Sequence, residues 1–406
     1  MTGSIGTLDE VRWAGKTVLL RLDLNSPIDP FSKEILDDKR FREHLPTIER
    51  LIDAKLVIIT HQSRPGKKDF TTLSAHAERL GRLLRRPVRY LDDIIGARAR
   101  DAVKGLSGGD ILMLENVRFS AEENLKMKPE EAAKTLLVQG LASMGDLFVN
   151  DAFGTAHRSQ PTMVGLPLAL RSVAGLLMER EVAMLSRALT GTQRPVTAVM
   201  GGTKVDDSIA VMAHMLDHGI ADAAIVTGVV ANVFLIAQGH DIGEPSTQLI
   251  RKLEYLKEIE LARELLERHR DRILVPDWVA VRKDGERAEF PVDAIPGDTP
   301  VLDIGVDSIE EMADRIRKSG TVIFNGPAGV FEEEAFALGT VELLNAAARV
   351  PFSVIGGGHT GAMVEKLGLG GKITHVSTGG GACLEFLTGK KLPAVAALEM
   401  SKQKFG

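Results

Sequence analysis

Cysteine is nearly absent: Cys383 is the only one in 406 residues. A lone thiol excludes an intrachain disulfide and a cysteine-based zinc cage, and it fits a reducing, cytoplasmic setting. Excess charge of one sign is also missing. The 50 Lys and Arg against 55 Asp and Glu leave a net charge of -5. Nothing global therefore points to nucleic acid or an acidic membrane, and any anion site must be local. Long apolar runs are lacking as well. The most apolar segment, Gly165 to Met178, is cut by Arg171, so no membrane span is expected. Met1 to Glu10 is polar and acidic, with no signal-peptide core. Low-complexity tracts and short-period repeats are absent too.

What is present suits a large soluble protein. Hydrophobic residues make up 44% of the chain, ample for cores, and charged residues 26%, enough for a solvated surface. Single cores stop growing near ~250–300 residues, so two domains are expected. Apolar runs alternate with helical-period segments throughout. Strands are expected at Thr17–Leu24, Leu56–Thr60, Asp110–Leu114 and Asp146–Val149. A second set is expected at Val196–Met200, Ala224–Thr227, Ile273–Val275, Val322–Phe324, Phe352–Ile355 and Ile373–Val376. Helix-length amphipathic stretches lie between them, such as Arg40–Asp53, Leu73–Arg85, Pro129–Ser143 and Ser308–Ser319. Such alternation implies parallel sheets built from βαβ crossovers, here an α/β chain with two doubly wound domains. Val173–Leu189, rich in helix formers with charges on one face, reads as a helix joining the domains. Tyr255–Arg270, dense in Glu, Lys and Arg, reads as a solvated helix.

In the first half, cations stand at successive strand exits. The strands end in Arg21-Leu22-Asp23-Leu24-Asn25-Ser26-Pro27, Thr60-His61-Gln62-Ser63-Arg64, Leu114-Glu115-Asn116-Val117-Arg118 and Val149-Asn150-Asp151-Ala152-Phe153-Gly154-Thr155-Ala156-His157-Arg158. Parallel strands aim their C-terminal ends at one edge, so Arg21, Arg64, Arg118 and Arg158 should converge there. Arg40 opens the following helix. Guanidinium groups crowded together repel unless an anion neutralises them, and their fork matches phosphate and carboxylate. Asp23 and Asn25 could take a ligand hydroxyl. His61 and His157 lack acidic or cysteine partners at metal-ligand spacing, so no metal site is expected.

In the second half, glycine loops follow strands. Gly201-Gly202-Thr203-Lys204 offers close backbone approach and a point charge for a phosphate. Asn325-Gly326-Pro327-Ala328-Gly329-Val330-Phe331-Glu332 carries an acid suited to ribose hydroxyls. Gly356-Gly357-Gly358-His359-Thr360-Gly361 leads into a helix whose first amides form an anion site. This last loop matches G-x-G-x-x-G, but a dinucleotide site also wants an acid about 20 residues on. The chain has Val376-Ser377-Thr378-Gly379-Gly380 there, which argues against a nicotinamide-dependent dehydrogenase. A Walker A loop is excluded because Glu10 stands where its first glycine belongs before Gly15-Lys16-Thr17. Protein-kinase signatures are absent. A non-catalytic binder of anionic sugars is disfavoured by the three separate glycine loops.

Taken together, the motifs ending in Arg21–Asn25, Arg118-Phe119, His157-Arg158 and Phe331-Glu332 resemble those of phosphoglycerate kinase. The similarity runs to the tail Ser377-Thr378-Gly379-Gly380-Gly381-Ala382 and Leu392-Pro393. This resemblance implies two Rossmann-like domains, 1–172 and 191–376, a connecting helix over 173–190, and a tail, 377–406, returning to the first domain. It implies reversible phosphoryl transfer between ATP, carried with Mg2+, and the carboxylate of 3-phosphoglycerate. The acceptor would sit among Arg21, Asp23, Leu24, Asn25, Arg40, His61, Gln62, Ser63, Arg64, Arg118 and Arg158. The nucleotide would sit near Gly201, Gly202, Lys204, Gly228, Asn325, Glu332, Gly357, Gly358, His359 and Thr360. Arg40 and Lys204 would be the catalytic residues, with no direct metal ligand assigned. Two positions depart from many members: Ser208 replaces a second lysine and His359 an acid, both as in the archaeal branch. The resemblance leaves monomer and homodimer equally open.

Overall fold

A computed structural model of the protein describes residues 5–190 and 193–406. The chain divides into two compact units. One comprises the chain up to Ala183 with Lys391–Gly406, the other Met184–Lys390.

The first unit is built on a six-stranded parallel sheet. Its strands are β1 (Thr17–Arg21), β2 (Lys55–Ile59), β3 (Arg89–Tyr90), β4 (Ile111–Met113), β5 (Leu147–Asn150) and β6 (Ser172–Ala174), in the order β3-β4-β2-β1-β5-β6. The period-2 alternation of a strand divides β1 between two cores. Val18 and Leu20 pack with Phe41, Ile48 and Leu80 on one face. Leu19 packs with Val57, Leu112, Leu141 and Phe148 on the other. The chain leaves β1 towards β2 on one side and later places β5 on the other, so the strand order reverses at β1. In open α/β sheets the crevice beyond the carboxyl ends of the strands at such a reversal holds ligands.

Two expected helices differ in detail. Pro129–Ser143 is two short helices, Pro129–Ala132 and Leu136–Ala142, because the Thr135 hydroxyl accepts the Val138 N–H and starts a new helix. The joining helix runs Leu176–Thr190 rather than from Val173, because Ser172–Ala174 pair with β5 as an edge strand.

The second unit holds another six-stranded parallel sheet and a small antiparallel one. Its strands are β7 (Val196–Met200), β8 (Ala223–Val226), β9 (Ile273–Leu274), β10 (Trp278–Lys283), β11 (Glu286–Pro291), β12 (Val301–Ile304), β13 (Thr321–Asn325), β14 (Phe352–Gly356) and β15 (His375–Val376). The parallel sheet has the order β15-β14-β13-β7-β8-β9 and the antiparallel sheet β11-β10-β12. The antiparallel sheet was not expected from the sequence. One face packs on Leu235, Ile242 and Val292, and the other is closed over an ion pair in which Arg287 meets Glu289 and the buried Asp303, which is why the strands carry charge. Its hairpin signal was nonetheless present: Asp284 and Gly285 both have positive φ, 51° and 85°, as a two-residue primed turn requires.

Residues 377–390 stay with the second unit, where the helix Gly381–Leu387 packs on the helix Val205–Asp217. The helix Pro393–Phe405 belongs to the first unit. It buries Val395 and Leu398, and Ser401 Oγ accepts the Ser172 N–H at 3.0 Å. Among the described residues, no helix is long and apolar enough to cross a membrane.

Candidate active site

At the carboxyl edge of the first sheet, the exits of β1, β2 and β5 and the start of the helix Lys39–Arg50 meet. Asp23, buried just past β1, pairs through Oδ2 with Arg40 Nη1. Asn25 Oδ1 accepts the Ser63 N–H at 2.8 Å, and Leu24 N–H donates to Thr60 Oγ1 at 3.1 Å. Gln62 holds Ser26 twice, accepting its N–H at 3.2 Å and donating to its carbonyl at 3.1 Å. Each bond joins the first strand exit to the second, so the two loops act as one piece. Arg118 continues the fastening, donating to the Ser63 carbonyl and to Gln160 Oε1 at 3.3 Å. Arg64 is exposed, Arg158 half-buried and Arg40 still 40% accessible at its side chain.

Of the cations expected to converge, Arg21, Arg118 and Arg158 lie close enough to feel one another's charge, with one difference of depth. Arg21 is wholly buried beneath the edge rather than open on it. Its guanidinium donates to the carbonyls of Leu22 (3.2 Å) and Ile59 (3.3 Å), faces Glu123 at 3.6 Å, and reaches His61 Nδ1 at 3.4 Å. An arginine only donates, so His61 Nδ1 accepts and Nε2 carries the proton. Among the described residues that buried N–H has no partner, which makes it a donor suited to an anion. Arg64, Arg118 and Arg158 likewise form no ion pair with a carboxylate among the described residues.

The electrostatics express this surplus of positive charge. Burial, together with Arg21, Arg118 and Arg158, pushes His61 well below the usual imidazole range and so keeps it neutral. Burial and the neighbouring Arg158 and Arg21 lower even Arg118, to about 10. Burial alone would raise the Asp23 carboxyl, but Arg40 and the cations around it hold it well below the usual carboxylate range. An anion entering this edge would relieve several repulsions at once.

In the second unit the three glycine loops interlock. Gly201 N–H donates to the Asn325 carbonyl at 2.8 Å, Gly202 N–H to Pro327 at 2.8 Å, and Gly228 N–H to Ala328 at 2.9 Å. Gly326 N–H donates to Thr360 Oγ1 at 3.1 Å. Beside them lies a cavity of about 250 Å³ whose walls include Gly202, Gly228, Pro327, Glu332 and His359. Helices start at Val205, Gly228 and Gly358, directly after β7, β8 and β14, so three positive dipole ends serve one sheet edge. Lys204 is exposed at the first of these, outside the cavity wall. Asn325 Oδ1 is buried beside Gly356 and Gly357, without a hydrogen-bond partner among the described residues. His359 is exposed and its ring lies 5.7 Å from that of Phe331.

Several residues of these sites were not expected from the sequence. The cavity's apolar walls, Pro245, Leu249, Val279, Leu302 and Phe331, come mainly from the helix Glu244–Lys252 and the antiparallel sheet. Glu123, which balances Arg21 and takes both bonds of Thr162, was also missed. So was His44, whose ring meets the carboxylate of Asp151, a residue of the fourth strand exit that had no assigned role. No local signal marks these residues, because each partner comes from a distant segment.

The comparisons with known proteins bear on the whole chain. A family model described as phosphoglycerate kinase matches residues 8–390. A phosphoglycerate kinase of Methanocorpusculum labreanum is 60% identical, the alignment covering 99% of this chain and 100% of that one. One from Methanothermus fervidus is 47% identical over 98% of each. The crystal structure of phosphoglycerate kinase from Pyrococcus horikoshii superposes with a TM-score of 0.92 at 42% identity, covering 99% of this chain and 100% of that one.

Proposed function

The chain belongs to the phosphoglycerate kinase family, and from that premise we propose how its residues move a phosphoryl group between ATP and the carboxylate of 3-phosphoglycerate. The first unit takes 3-phosphoglycerate. The observation that carries this reading is the set of unneutralised donors at one sheet edge: the His61 Nε2–H, Arg64, Arg118 and Arg158. These suit the phosphate, while Asp23 and Asn25 suit the hydroxyl and Arg40 the carboxylate. Arg21 acts from below, fixing the His61 tautomer.

The second unit takes MgATP. The apolar walls of its cavity suit a base, Glu332 a ribose hydroxyl, and the glycine loops with their helix-start amides the phosphates. Magnesium travels with the nucleotide phosphates and neutralises part of their charge.

The acceptor carboxylate is already ionised at neutral pH, so the chemistry needs no strong base. The protein's work is positioning and charge stabilisation. Arg40 orients the attacking oxygen and shares its changing charge. Lys204 and the amides at Gly357 and Gly358 meet the equatorial oxygens of the phosphoryl in flight. Acceptor and donor are held by different units, so turnover requires both to be loaded before the reacting oxygens align. The readings as a nicotinamide-dependent dehydrogenase or a non-catalytic sugar binder are not supported. A coupled assay for 1,3-bisphosphoglycerate tests the reading: NADH consumption should require ATP and 3-phosphoglycerate together. No consumption with both present would reject it.

A further inference from the structure

Arg40, His44 and Thr47 stand at i, i+4 and i+7 of the helix Lys39–Arg50 and so share one face. All three are used to hold other segments. Arg40 pairs with the Asp23 carboxylate, while His44 Nε2 accepts the backbone N–H of the same Asp23 at 3.1 Å. A backbone amide can only donate, so Nε2 is unprotonated and the proton of the neutral ring sits on Nδ1. Nδ1 lies 2.8 Å from Asp151 Oδ2 and therefore donates to it. The other oxygen of Asp151 accepts the N–H groups of Leu177 (2.9 Å) and Met178 (3.3 Å), and Thr47 Oγ1 accepts that of Leu176 (3.0 Å). These are the opening amides of the helix Leu176–Thr190, whose later residues belong to the second unit. His44, Thr47 and Asp151 are buried to 2% exposure or less, so water offers no substitute partner.

We propose that His44 is a positioning residue for the acceptor substrate and, through Asp151, links the acceptor loop Leu22–Asn25 to the start of the helix that leads into the second unit. This rests on the reading of Asp23 and Arg40 as acceptor contacts. Without His44, Asp23 is gripped only at its carboxylate, the group that must also answer to substrate. With it, the backbone of Asp23 is fixed from the helix that carries Arg40, so substrate meets a preset pair. Asp151 relays the same constraint to Leu177 and Met178, because one carboxylate serves both sides.

The test combines kinetics with hydrogen–deuterium exchange on the full-length enzyme. In the wild type, saturating 3-phosphoglycerate should slow exchange at Leu22–Asn25 and also at Leu177 and Met178. His44→Asn retains a donor near the Nδ1 position but falls short of the Asp23 amide. It should raise KM for 3-phosphoglycerate about tenfold, the worth of one buried hydrogen bond, and change KM for MgATP by less than about twofold. It should also abolish the substrate-induced protection at Leu177 and Met178. His44→Gln, whose carbonyl reaches the Asp23 amide but which has no donor at the Nδ1 position for Asp151, should restore KM for 3-phosphoglycerate and leave the protection at Leu177 and Met178 lost. An unchanged KM for 3-phosphoglycerate in His44→Asn, equal rises in both of its KM values, or a His44→Gln variant whose KM for 3-phosphoglycerate is raised as much as that of His44→Asn would overturn the proposal. If His44→Asn does not fold, the wild-type pattern decides: protection at Leu22–Asn25 without protection at Leu177 and Met178 overturns it. No protection at Leu22–Asn25 would instead overturn the acceptor-site reading, and the proposal with it.

Discussion

Arg40 and Arg64 carry the same guanidinium but stand in different settings, and they should fail differently. Arg40 is held against Asp23, whereas Arg64 is exposed and, among the described residues, has no ion pair to a carboxylate. Arg40→Ala should lower kcat by about 10²–10³, in the range seen for a lost transition-state donor, with a smaller effect on 3-phosphoglycerate affinity. Arg64→Ala should mainly raise KM for 3-phosphoglycerate; steady-state kinetics separates the two, and equal kcat values in Arg40→Ala and wild type would reject its role. Protonation gives a second residue-scale expectation. His76 donates to Gln62 Oε1 at 3.0 Å, and burial lowers it to about 4. Its folded value lies below its unfolded one, so the unfolded chain takes up the proton first. Stability should therefore fall as pH drops through about 6.5 and level off below about 4, a loss on the order of 3 kcal/mol. Denaturant titrations between those pH values should show a flatter profile in His76→Gln, where the titrating ring is gone. The converging arginines and His61 could be foreseen from strand exits alone. His44 could not, because its partners Asp23 and Asp151 lie 21 and 107 residues away along the chain.

The glycine loops work as elements because their backbones touch. Gly326 has φ +84°, and a Cβ there would collide with the backbone of Gly201. A positive φ alone costs a non-glycine residue roughly 1–2 kcal/mol, and the collision adds to it. Gly326→Ala should thus raise KM for MgATP more than about tenfold while leaving KM for 3-phosphoglycerate nearly unchanged. Equal changes in both would mean that the loop serves more than the nucleotide. The inner parallel strands were readable as elements because both of their faces are buried, giving unbroken apolar runs such as Val196–Met200, whereas the short edge strands β3 and β6 were not. Strands β10, β11 and β12 were not, since Arg282, Lys283, Glu286 and the Arg287–Asp303 pair interrupt their apolar residues. Those strands still supply part of the cavity beside the glycine loops through Val279, Val301 and Leu302.

Across the whole molecule, the chain ends where it began: the helix Pro393–Phe405 completes the first unit. Ala394 N–H donates to the Ala156 carbonyl, next to His157 and Arg158, and Lys402 reaches the Ile5 carbonyl and Glu10. Truncation after Lys390 would expose the surfaces covering Val395 and Leu398, each worth about 1.5–3 kcal/mol on burial. That is a large part of the usual 5–15 kcal/mol stability of a domain. The truncated chain should melt earlier and lose 3-phosphoglycerate binding while still binding MgATP, as isothermal titration would show. Retained affinity for both would place the helix outside the support of the acceptor site. The sequence by itself determined the alternation of strands and helices, the two-part organisation, and which residue types stand at the strand exits, since these follow from periodicity and chemistry within short windows. Only the tertiary structure decided that Arg21 lies beneath the site rather than on it, that Glu123 balances it, and that His44 and Asp151 join its parts. Burial and pairing arise from segments tens to hundreds of residues apart, and no local pattern records who meets whom.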